Sequence, residues 1–181
     1  DDGIVDLVTA NGGTSDVSVL IGTGSGTFAA PASFATAFAP NAVAVSDLNN
    51  DGKQDLAVAN AGFAAVSILL GTGTGSFGAK TDFATPAAAL SVVIGDLNAD
   101  GIPDLGMGGS TFTAYLIGTG TGSFGPATSL GSTDTYAMTA TDLDDDGARD
   151  LAAAIGSVDE VSIFLNSPVP SSTPPALAFG T

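Results

Sequence analysis

The chain contains no cysteine, no histidine and only three basic residues among 181. Without cysteine there is neither a disulfide framework nor a thiolate metal site. Without histidine, Ser-His-Asp triads, imidazole acid–base chemistry and the usual zinc sites are excluded. Lys53, Lys80 and Arg149 are scattered and form no phosphate or nucleic-acid patch. No apolar run approaches the ~18 residues of a membrane-spanning helix. The chain does not open on a basic stretch followed by an apolar segment, so no signal peptide is expected within it. Its start at Asp1-Asp2-Gly3, with no initiator Met, reads as that of a fragment or a mature segment.

Acid is what the chain has in excess. Nineteen acidic side chains give a formal net charge of −16. Such a surface repels nucleic-acid phosphates and anionic membranes. With 44% hydrophobic residues the chain can bury a core, which argues against disorder. The acids also recur at fixed positions between short apolar runs, a placement that suits metal sites.

Internal repetition sets the fold expectation. DDGIVDL from Asp1, DLNNDGKQDL from Asp47, DLNADGIPDL from Asp96 and DLDDDGARDL from Asp142 align through Gly3, Gly52, Gly101 and Gly147. A second motif keeps step: VSVLIGTGSGTF from Val17, VSILLGTGTGSF from Val66, TAYLIGTGTGSF from Thr113, and the shortened VSIFLN from Val161. Each repeat reads as four short strands. The first is an alternating run before the acidic loop, such as AVAVS, with bulk at Val43 and Val45. The second starts at the last acid of the loop, and the third is the VSILL run. After a Gly-rich turn comes a more polar fourth strand. Four strands in roughly 48 residues is the period of a propeller blade. The expected fold is all-β: about three and a half blades of four-stranded antiparallel sheet, in an open or partial propeller. A solenoid or a β-sandwich is the alternative. The expected boundaries are a partial repeat 1–40, repeats 41–89, 90–135 and 136–167, and a Pro-rich segment 168–181. That last segment reads as a linker followed by the opening strand of another β domain. An open arc leaves edges and an apolar flank exposed, so further blades in a longer parent chain, or self-association, are expected to cover them.

The acidic loops carry the chemistry. In the loop from Asp47, the side chains of Asp47, Asn49, Asp51 and Asp55 occupy positions one, three, five and nine, with the Lys53 carbonyl at seven. The next loop offers Asp96, Asn98, Asp100, the Ile102 carbonyl and Asp104. The last offers Asp142, Asp144, Asp146, the Ala148 carbonyl and Asp150. Hard oxygen donors at this spacing suit Ca2+, and Mg2+ ranks lower because it demands a stricter octahedron. These are not EF-hands, because position twelve is Val58, Met107 or Ala153 where that motif needs Glu. The first repeat keeps Asp2 and Asp6 but lacks the two upstream ligands, so weak or no binding is expected there. The competing explanation is that Asp, Asn and Gly simply favour turns. Three full copies of one spacing weigh against it.

The runs AVAVSDLNNDGKQDLAVAN and VSILLGTGTGSFG, with their copies, resemble the FG-GAP/VCBS repeat family, whose members include the integrin α-subunit blades. The likeness covers nearly all of residues 1–167 and sits nearer the bacterial type. It implies propeller blades, calcium held in the D-x-[DN]-x-D-G-x-x-D loop, a secreted or cell-surface location, and, within 168–181, the start of an immunoglobulin-like domain. Phe77-Gly78 and Phe124-Gly125 match the family's Phe-Gly element, whereas the first repeat has Phe28-Ala29.

Other motifs promise less. GTGTGSF lacks the Lys-Ser/Thr end of a phosphate loop and the helix that follows one. Phe28, Phe77 and Phe124, each fixed after a Gly turn, read as packing anchors rather than ligand contacts. No catalytic constellation stands out, and the expectation is a non-enzyme: a calcium-stabilised extracellular interaction or scaffold module for protein or glycan contacts. The alternative is a propeller part of a secreted lyase or hydrolase.

Overall fold

The computed structural model describes residues 2–131 and 134–166, together with the backbone pairing of 179–180. The chain is all-β, in successive antiparallel sheets that do not close into a barrel. The first sheet has three strands: β1 (Leu7–Asn11), β2 (Asp16–Leu20) and β5 (Ala32–Ala35). A small hairpin of β3 (Gly22–Gly24) and β4 (Thr27–Phe28) stands between its last two strands. The second sheet is β6 (Pro40–Ser46), β7 (Asp55–Asn60), β8 (Ala65–Leu69) and β9 (Thr81–Ala84). The third is β10 (Ala89–Gly95), β11 (Asp104–Gly109), β12 (Phe112–Leu116) and β13 (Thr128–Gly131). The fourth is β14 (Thr135–Thr141), β15 (Asp150–Ile155), β16 (Glu160–Asn166) and β17 (Phe179–Gly180).

Spatial order equals sequence order in every sheet, as in a propeller blade. The linker and immunoglobulin-like start expected over 168–181 lie outside the described residues, apart from the β17 backbone, which pairs with Leu165 and Asn166.

Three seams hold the sheets together, and the strand sequences explain them. In β7 every residue of DLAVAN is buried. Leu56 and Val58 face the first sheet, where they meet Val17 and Val8. Ala57 and Ala59 face the third sheet, among Leu105, Met107 and Phe112. A strand packed on both faces has no polar side to show, which is why it reads as an almost unbroken apolar run. Inner strands divide the same way: Val43 packs toward the first sheet, and the small Ala42 and Ala44 toward the third. The Asn41 side chain also donates to the Leu90 carbonyl at 2.6 Å, tying β6 to β10.

Aromatic pairs clasp the outer parts of two seams. Phe77 of the second Gly-rich turn meets Phe34 of β5 edge-to-face, with ring centroids 5.3 Å apart. Phe124 of the third turn meets Phe83 of β9 at the same separation. The turn phenylalanines Phe77 and Phe124 are packing anchors. Phe28 of the first turn lies exposed.

In the second and third repeats the leucine after the loop's first acid plugs a seam. Leu48 lies buried between the second and third sheets, and its carbonyl accepts from the Gly122 N–H at 3.1 Å. Leu97 does the same between the third and fourth, where the Asn166 side chain donates to its carbonyl. In the first repeat the corresponding position falls before Asp1. At its seam with the second sheet lies a cavity of about 430 Å³, lined in part by Val8, Val19, Val45, Leu56 and Phe77. The corresponding residues one repeat on are Ala57, Ile68, Ile94, Leu105 and Phe124, all packed round Leu48. The cavity is thus an unfilled leucine seat.

Candidate metal centre

Each acidic loop folds the same way for local reasons. Gly52, Gly101 and Gly147 take φ of +80°, +80° and +90°, where a side chain would be strained. The first acid of each loop reaches across to that glycine: Oδ2 of Asp47, Asp96 and Asp142 accept from Gly52, Gly101 and Gly147 N–H at 2.8, 2.8 and 2.9 Å. At position five, Oδ1 of Asp51, Asp100 and Asp146 accept from the N–H two residues on, at 3.0, 2.8 and 2.8 Å. At position three, Asn49, Asn98 and Asp144 accept from the N–H of the position-five residue. Main-chain donors therefore orient the oxygens of positions one, three and five in all three full loops.

The loops differ in what surrounds those oxygens. In the second repeat the Lys53 ammonium lies 2.9 Å from Asp51 Oδ2, and this contact holds the Asp51 carboxyl below its ordinary value. In the third, the Asn98 amide donates to Asp100 Oδ2 at 2.9 Å. In the fourth, no neutral or cationic side chain intervenes. Carboxylate oxygens of Asp142, Asp144 and Asp146 lie within 4.8 Å of one another, the one such group of three among the described residues. Asp142 Oδ1 is buried without a hydrogen-bond partner. Lost hydration pushes the Asp144 carboxyl up, and the charges of Asp146, Asp150 and Asp142 add to it. A buried orphan oxygen beside crowded carboxylates fits a hard cation: this cluster can coordinate a metal ion.

The acid at position nine has a further role that sequence reasoning missed. Asp55 is fully buried; its Oδ2 accepts from Leu48 N–H at 2.9 Å and its Oδ1 from Gly71 N–H at 2.7 Å. Asp104 takes Leu97 and Gly118, and Asp150 takes Leu143 and Asn166, in the same way. Even Asp6, without an upstream loop, keeps the bond to Gly22. Asp55 and Asp104 thus stitch the acidic loop to the start of the Gly-rich turn, and Asp150 ties its loop to Asn166 at the corresponding position. The close approach demands glycine at Gly71 and Gly118, where a Cβ would sit 2.1 and 2.2 Å from the carbonyl oxygens of Gln54 and Pro103. Burial pushes the Asp104 carboxyl up to about 6, against the opposing pull of the Gly118 and Leu97 N–H groups. The signal was present in the sequence: in all four repeats an acid recurs in step with the first residue of the turn.

The FG-GAP-like repeat family matches residues 1–58 and 47–107, more than half of the chain. The chain belongs to this family. Curated proteins offer no significant match. Among solved structures, the FG-GAP-like chain is similar to a lectin from Agrocybe aegerita described as specifically recognising non-reducing terminal N-acetylglucosamine. The TM-score is 0.59 and the identity 19%, over 98% of this chain and 51% of that one. It is similar to BBS1N, solved in complex with ARL6DN, with a TM-score of 0.59 and 17% identity over 89% of this chain and 51% of that one. A Tc holotoxin pore from Photorhabdus luminescens matches at a TM-score of 0.50 and 20% identity, over 86% of this chain and 8% of that one. At these identities the likeness is one of fold. The FG-GAP-like chain spans about half the length of the first two chains it resembles. No helix among its described residues is long and apolar enough to cross a membrane.

Proposed function

We propose that the chain is a calcium-braced, non-catalytic interaction or scaffold module of a secreted or surface protein, contacting protein or glycan. The observation that carries the calcium reading is the trio Asp142, Asp144 and Asp146 around the buried, unpartnered Asp142 Oδ1. Asp142, Asp144, Asp146 and the Ala148 carbonyl hold the ion in the fourth repeat, with Asp150 behind them. Asp47, Asn49, Asp51, Lys53 carbonyl and Asp55, and Asp96, Asn98, Asp100, Ile102 carbonyl and Asp104, serve the second and third. In the second loop the Lys53 ammonium must first leave Asp51. A bound divalent ion supplies positive charge that relieves carboxylate repulsion and fixes the loop between two strands. With no cysteine to cross-link the chain, ions held in the acidic loops would brace a module working outside the cell.

Thermal unfolding tests the calcium reading. In millimolar Ca2+ the midpoint should rise over that in chelator, and rise more than in equal Mg2+, because binding to the folded state alone stabilises it. Asp144→Ala, which leaves no oxygen at position three, should remove most of the fourth loop's share. An identical midpoint in calcium and in chelator refutes the metal reading. For the contact partner, the recognition of terminal N-acetylglucosamine by the similar lectin makes a glycan array the first screen, run beside a panel of extracellular proteins. A blank result in both favours a purely structural scaffold.

A further inference from the structure

Among the described residues two faces are exposed, one on the first sheet and one on the fourth, and the internal seams show what such faces meet. Toward the following sheet, the second repeat presents Leu48, Val66 and Ile68, all at most 1% exposed. The same positions in the fourth repeat are Leu143, Val161 and Ile163, exposed by 46%, 66% and 41%. Toward the preceding sheet, the third repeat presents Leu105 and Phe124, both buried in the seam. Their counterparts in the first repeat are Leu7 and Phe28, exposed by 44% and 42%. The two ends are therefore the two halves of a seam the chain builds three times within itself.

From this we infer that the free face of the fourth sheet docks against the free face of the first sheet of a second copy, head to tail. Three observations commit the faces to that occupant. First, each face already has a partner of the right composition in the chain's own seams. Second, a polar contact of the second–third seam has its counterparts on the two faces: Leu48 O accepts from Gly122 N–H, and Leu143 O and Gly26 N–H hold the corresponding positions. Third, the chain spans 51% of the length of two solved chains of similar fold, so two copies carry the chain of one such molecule. A head-to-tail contact made twice about a common axis closes a ring. Two chains of formal charge −16 repel, so the contact strengthens with salt and with cation loading of the acidic loops.

Sedimentation velocity on the 181-residue chain, from about 1 to 200 µM in 150 mM salt, with calcium and with chelator, tests this directly. A concentration-dependent dimer is expected. Val161→Asp and Phe28→Asp alter exposed side chains on opposite faces, and each should weaken dimerisation at least tenfold while leaving the monomer's unfolding midpoint unchanged. Mixing the two variants should restore a heterodimer, because the intact first-sheet face of one meets the intact fourth-sheet face of the other. A face-to-same-face dimer gives no such rescue. A chain that stays monomeric throughout, or a mixture without rescue, overturns the inference; in the first case the faces belong to further repeats of a longer polypeptide. Because both metal conditions are run, a failed calcium reading leaves this result independent.

Discussion

Asp55→Asn separates two roles that one carboxylate can play. The native side chain is fully buried and takes Leu48 N–H on one oxygen and Gly71 N–H on the other, at 2.9 and 2.7 Å. Asparagine has nearly the same shape but only one acceptor, so its amide NH2 must point at a main-chain donor. Hydrogen bonds to charged groups contribute about 1.5–3 kcal/mol, and a buried unsatisfied donor costs about 1–3 kcal/mol. The expected loss is therefore about 2–4 kcal/mol, a large part of the ~5–15 kcal/mol that keeps a domain folded. For a chain of this size that lowers the melting midpoint by roughly 5–15 °C. Urea unfolding should be run in chelator and in calcium. A stitch gives the same loss in both. Asp144→Ala, which removes a side chain whose one bond is a 3.3 Å contact from Asp146 N–H, should cost little in chelator and show its loss with calcium. If Asp55→Asn loses less than about 1 kcal/mol in chelator, or loses stability only when calcium is present, the stitch reasoning is wrong.

Three further outcomes follow from the same geometry. Val19→Ile with Val45→Ile copies the residues that line the filled seam one repeat on; each added methylene entering the 430 Å³ cavity should stabilise by up to about 0.8 kcal/mol, measured by urea unfolding. Ala99 holds φ of +59° where the other loops place Asn50 and Asp145, so Ala99→Gly should raise stability by about 1 kcal/mol in chelator. The Asp104 carboxyl is raised to about 6 in the folded chain against 3.8 for the ordinary group, so the fold binds its proton more readily than the unfolded chain does. Its contribution is present in full below the ordinary value and is lost as pH rises through the folded value. In chelator, the stability gap between the native chain and Asp104→Asn should accordingly widen as pH falls from 6 to 4; a gap that narrows contradicts the raised value.

Strand placement was legible because strands packed on both faces announce themselves as short apolar runs between fixed Gly and Asp signals. DLAVAN from Asp55 is β7 residue for residue, and VSILL begins one residue inside β8. The oxygens of positions one, three and five could be named from spacing, since their orientation rests on donors within five residues. The dual bonding of Asp55 could not, because Gly71 lies sixteen residues away and only the paired strands bring it close. Leu48, Leu97 and Leu143 recur plainly after the first Asp, yet a loop leucine gives no hint that the following sheet covers Leu48 and Leu97 while Leu143 stays exposed. The Lys53 contact with Asp51 is likewise a matter of where one long side chain comes to rest.

The leucine seat has a consequence for how such a chain changes length. Each seam draws its plug from one repeat and its socket from the next, so the seams are out of phase with the sheets. Gaining or losing one whole repeat, 49 residues between Gly3 and Gly52 and 46 between Gly101 and Gly147, keeps every plug matched to a socket. A change by part of a repeat strands a plug or opens a hole like the one beside Val19. Duplication by whole periods is thus the inexpensive path for lineages carrying this chain, and blade number can drift while each junction stays intact.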